Sequence, residues 1–164
     1  MTDTENDPPK PSGKTFLCVV DGTPEFEKAL YFACRRAKNT GGRVALVYVT
    51  QPAEFQHWAA IGDRMREEAR IEAEEMLSVV AQRVQSALGQ LPAVYIREGT
   101  VREEVVKLID EEDHISFLVL GAASGTDGPG PLISYLVQRM TGELRVPVVI
   151  VPGSLSNEEI DAVT

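Results

Sequence analysis

Two loops carry the residue types that could do chemistry in this chain. GAASGTDGPGPLISY, Gly121 to Tyr135, follows an apolar run, is rich in Gly and Pro, and leads into a segment of helical period. A loop of that make-up at a strand end can hold an anion on its backbone amides. DGTPE, Asp21 to Glu25, also follows an apolar run. Its carboxylate either serves a ligand or closes an Asx-type turn or helix cap.

The first loop has weaknesses as a phosphate cradle. Pro129 and Pro131 each remove an amide donor. The last lysine in the chain is Lys107, the loop's only charge is Asp127, and no Walker lysine motif is present, so no cation is expected there. Gly125, Gly128 and Gly130 could supply a displaced nest of amides.

Catalytic groupings do not emerge. His57 and His114 stand beside no nucleophile in a recognisable motif and read as surface or turn residues. Cys18 and Cys34 sit in the apolar patterns TFLCVV and LYFACRR, without zinc or redox spacing, and read as small core residues. With no catalytic constellation, the expectation is a protein that is not an enzyme. His57 and Trp58 form an aromatic patch that is either a lid or partner contact, or a plug packed on the second helix.

The elements that must position these loops alternate between β-branched runs and longer helical segments, which is the sign of an α/β fold with a parallel sheet. Strands are expected at 16–20, 44–49 and 93–98, in FLVLG ending at Gly121, and in VPVVIVP ending at Pro152. Helices are expected over 25–39, 64–88, after Thr100, and over 132–142. The second has a long apolar stripe from Met65 to Leu88, and the third a capping box of Thr100 with Glu103.

At 164 residues and 43% hydrophobic content, one domain is expected over 15–152, with polar tails at 1–14 and 153–164. The net charge of −9 argues against a nucleic-acid surface. The start, MTDTENDPPKPSGK, has no secretory pattern, and no apolar run approaches a membrane span, so the expectation is a cytoplasmic protein without membrane contact.

Several of these stretches together resemble the universal stress protein family, of the UspA-like kind: CVVDGTPEFEKAL, VALVYVT, EGTVREEVVKLI, and FLVLGAASG with LISYLVQRMTGELRVPVVIVPG. The resemblance covers nearly the whole chain outside the tails. It implies a Rossmann-like, five-stranded parallel sheet with helices on both faces, in strand order 3-2-1-4-5. The winding then reverses between strands one and four, and ligands bind beyond the strand ends at such a reversal.

The resemblance also implies a ligand, ATP or AMP, in the nucleotide-binding members. Asp21 would lie near the adenosine, Val49 would receive the adenine by its backbone, and Leu120, Gly121 and Ser124 would floor the pocket. The family's pattern is Gly, two residues, Gly, nine residues, then Gly-Ser or Gly-Thr. Here it falls on Gly121, Ser124, Ser134 and Tyr135, so three of four positions depart. A degenerate loop with weak or no ATP binding is the first expectation, and an ATP or AMP switch held by Asp21, Val49, Gly121, Ser124 and Ser134 the alternative. The family commonly dimerises through its last strand, which implies a homodimer along Val148, Val149, Ile150 and Val151. A receiver domain is excluded, since strand one ends in a lone Asp21 and strand five in VIVPG rather than a lysine.

Overall fold

Aliphatic and β-branched residues fill the middle of the sheet because its central strands are covered on both faces. The computed structural model describes residues 13–52, 59–139, 142 and 144–164. The strands are β1 (Thr15–Val19), β2 (Arg43–Thr50), β3 (Ala93–Glu98), β4 (Ile115–Ala122) and β5 (Val148–Pro152). The helices are α1 (Pro24–Thr40), α2 (Ala59–Leu88), α3 (Val101–Glu111), α4 (Pro131–Arg139) and α5 (Asn157–Val163). All strand pairs are parallel, in the order β3-β2-β1-β4-β5. The expected Rossmann-like architecture and its 3-2-1-4-5 order therefore hold.

β1 lies at the centre and is buried along its whole length. Its side chains alternate between two cores, as the period of two requires. Phe16 and Cys18 join Ala33 of α1 and Leu77 of α2, and Leu17 and Val19 join Leu108 of α3 and Leu136 of α4. Both cysteines sit on the first side. Burial pushes the Cys18 thiol well up and that of Cys34 to about 11, so neither is a ready nucleophile.

Three local expectations change. Helix α2 begins at Ala59, and Met65 of the expected stripe is 38% exposed, with full burial starting only at Ala73. Length explains this: 30 helical residues span ~45 Å, against ~26 Å for the eight residues of β2 beneath them. Thr100 does precede α3, but its side chain makes no capping bond. Its carbonyl instead accepts from Glu103 N and Glu104 N, at 3.1 and 2.9 Å.

The capping box is found where a polar tail was expected. Ser156 Oγ accepts from Glu159 N at 3.1 Å, and Glu159 Oε1 accepts from Ser156 N at 3.2 Å, which opens α5. Ile160 is fully buried, Asp161 lies 2.8 Å from Arg35 Nε, and Tyr31 Oη donates to Asp161 Oδ1 at 2.9 Å. One buried Ile and one capping box contribute roughly 2 and 1 kcal/mol, and together with the Asp161 contacts they fasten α5 to α1. Lys14, also assigned to a tail, accepts from Arg43 N through its carbonyl at 2.8 Å. Residues 1–12, and His57 with Trp58, lie outside the described residues.

Candidate functional site

β1 and β4 are neighbours whose chains leave in opposite directions, and a cleft of about 670 Å³ opens beyond their carboxyl ends. One wall is the turn from β1 to α1. Asp21 Oδ1 accepts from Thr23 N at 3.0 Å and from Thr23 Oγ1 at 2.7 Å. Thr23 Oγ1 in turn accepts from Phe26 N at 3.3 Å and caps α1. Of the two structural roles open to Asp21 in the sequence, it takes the Asx turn, and Thr23 is the cap. Gly22 sits between them at φ 72°, where a side chain would be strained.

The end of β2 supplies backbone. Val20 N donates to Val47 O at 2.8 Å, so the polar groups of Val47 face β1. Two residues on, those of Val49 face the same way, past the end of β1 and into the cleft.

β4 closes the floor with Leu120 and Gly121. A Cβ on Gly121 would stand 2.2 Å from the carbonyl oxygen of Glu25, so this glycine lets α1 pass against β4. The loop beyond it has much more room: a Cβ at Gly125, Gly128 or Gly130 would meet nothing within 4 Å. Pro131 occupies the first position of α4, which suits its fixed φ and missing N–H. Ser134 consequently lies inside the helix, its N–H donating to Gly130 O at 3.1 Å. Leu132 and Ile133 line the cleft, and their amides precede the first bond that α4 closes.

The structure brings Asp21, Val49, Leu120 and Gly121 together in the cleft lining. Ser124, Ser134 and Tyr135 lie outside that lining; Ser124 and Ser134 are exposed. The sequence reading missed the third wall, where the first turn of α3 brings Thr100, Val101 and Arg102 to the cleft. Arg102 is a cation at a site where none was expected, and its guanidinium lies 5.0 Å from the centroid of the Tyr135 ring. A signal was available: an Arg in the first turn of a helix opposes the macrodipole, which favours acids such as the adjacent Glu103 and Glu104.

The universal stress protein family profile matches residues 13–152. The chain belongs to that family. Solved structures agree on the fold: the universal stress protein UspA from Lactobacillus plantarum has a TM-score of 0.69 at 18% identity, covering 84% of this chain and 97% of its own. The universal stress protein from Archaeoglobus fulgidus in complex with dAMP gives 0.57 at 17%, covering 87% and 99%. A family member from Arabidopsis thaliana with AMP bound gives 0.59 at 12%, covering 85% and 91%. Comparison with curated protein sequences returns no match. Within this universal stress protein, α5 lies beyond the matched residues. No described helix is long and apolar enough to cross a membrane.

Proposed function

We propose that the chain is a stress-response module that works as a homodimer and takes an adenine nucleotide in the cleft between β1 and β4, AMP in preference to ATP. The cleft itself carries this reading: about 670 Å³ at the reversal of winding, bordered by Asp21, Val49, Leu120 and Gly121. The AMP and dAMP complexes of structural neighbours support the ligand class. Asp21 uses Oδ1 in its turn, leaving Oδ2 for the ribose hydroxyls, and the cleft-facing backbone of Val49 meets the adenine edge.

The preference for AMP follows from the degenerate loop. Pro129 and Pro131 bring no amides, Ser134 is committed to α4, and Leu132 and Ile133 offer two. A triphosphate would add charge that those groups do not match, on a protein of net charge −9. Nucleotide released by denaturing the purified protein, separated by ion exchange, and calorimetric titration of AMP and ATP test this. Micromolar AMP binding with weaker ATP binding is expected; no heat at millimolar AMP would refute it.

The dimer rests on β5, which is the sheet edge and exposes Ile150 to 40%. Pairing of two copies along Val148–Val151 would cover that edge, with Pro147 and Pro152 limiting its extent. Sedimentation should give a dimer mass at micromolar concentration and a shift toward monomer for Ile150→Lys. A monomeric wild type would count against it.

A further inference from the structure

Arg102 differs from the other arginines that line up with acids. Arg35, Arg66, Arg70, Arg83 and Arg97 each pair with a carboxylate. Arg102 has no carboxylate partner among the described residues; it lies over the Tyr135 ring and borders the cleft. Its carboxylate neighbour Glu104 is engaged by Lys107 at 3.3 Å. A guanidinium held over a ring without a carboxylate partner keeps N–H donors available, and their fork matches phosphate oxygens in a two-point contact.

The cleft is polarised accordingly. Asp21 and Glu25 stand on the α1 side, and Arg102 with the Leu132 and Ile133 amides on the α3 and α4 side. An anionic group is repelled by the first and drawn to the second. We infer that Arg102, held over Tyr135, is the phosphate-reading residue of this cleft, so that the nucleotide's phosphate is gripped from α3 and not by the glycine loop after β4.

This rests on the nucleotide reading above and deepens it. Tyr135, which departs from the family pattern by placing a ring where a small hydroxyl is expected, becomes the platform for the cation that replaces the lost loop chemistry. Tyr135 is a positioning residue in this account, acting through Arg102.

The ratio of AMP to adenosine affinity isolates the phosphate contact, because adenosine fills the same cleft without a charge. Calorimetry on the full chain should show AMP binding more tightly than adenosine. Arg102→Gln should reduce that ratio about tenfold or more, as expected for loss of a charged hydrogen-bonded pair. Arg102→Lys should recover part of it, and Tyr135→Leu should lower it less than Arg102→Gln does. Arg43→Gln, which removes the same charge at the start of β2, should keep the wild-type ratio. An Arg102→Gln protein with the wild-type ratio overturns the assignment while leaving nucleotide binding intact. A wild type that binds neither adenosine nor AMP overturns both.

Discussion

The two loops that flank the cleft are built in opposite ways. The turn from β1 to α1 is four residues long, 20–23, and closed by its own bonds: Asp21 holds Thr23 twice, and Thr23 caps α1. The loop from β4 to α4 spans eight residues, 123–130, and its link across the span is a 3.3 Å bond from Ala123 N to Pro129 O. The first wall is therefore held by its own bonds, and the second is more loosely tied. Ordering each backbone residue costs on the order of 1 kcal/mol, so under the proposed reading the adenosine meets a prebuilt wall at α1, and the phosphate is left to Arg102 of α3 rather than to the loosely tied loop after β4.

The largest expected effect lies at the foot of the long loop. Gly121→Val should destabilise the fold by about 3 kcal/mol in urea unfolding, because its side chain collides with the Glu25 carbonyl. An unaltered midpoint would show that α1 does not pass β4 closely. Next comes the short turn: Asp21→Ala should cost about 1 kcal/mol of stability and weaken AMP binding about tenfold or more, since one carboxylate serves both. Loss of one effect without the other would separate the turn from the ligand. Thr23→Ala should lower stability by about 1 kcal/mol through the lost cap, and AMP affinity by less than Asp21→Ala does. Gly125→Ala, in open space with φ outside the left-handed region, should change stability by less than about 0.5 kcal/mol. A larger loss there would mean that the long loop is as tightly built as the short one.

How much of this could be read in the sequence depended on how local the cause was. The alternation of strands and helices, Asp21 at the end of β1 and Gly121 at the end of β4 follow from nearby residues, and the strand order from the resemblance to the family. Pro131 also announces the start of α4, which puts Ser134 inside the helix although the family spacing assigns it to the binding loop. Arg102 stands out locally as a cation in the first turn of a helix, but its place at the cleft is not legible from its surroundings. It reaches the cleft because α3, after the edge strand β3, crosses back to pack beside α4. Helix α5 was missed for a different reason: its composition is that of a solvated tail, and it folds through one Ile and an acid that meets Arg35 and Tyr31 across the chain.

Hydrogen exchange with and without saturating AMP tests the nucleotide reading and the contrast between the two walls in one measurement. Slowed exchange is expected at Leu132 and Ile133 on adding AMP, with the amides of Thr23 and Phe26 already slow in its absence. Unchanged exchange around the cleft at millimolar AMP would contradict it.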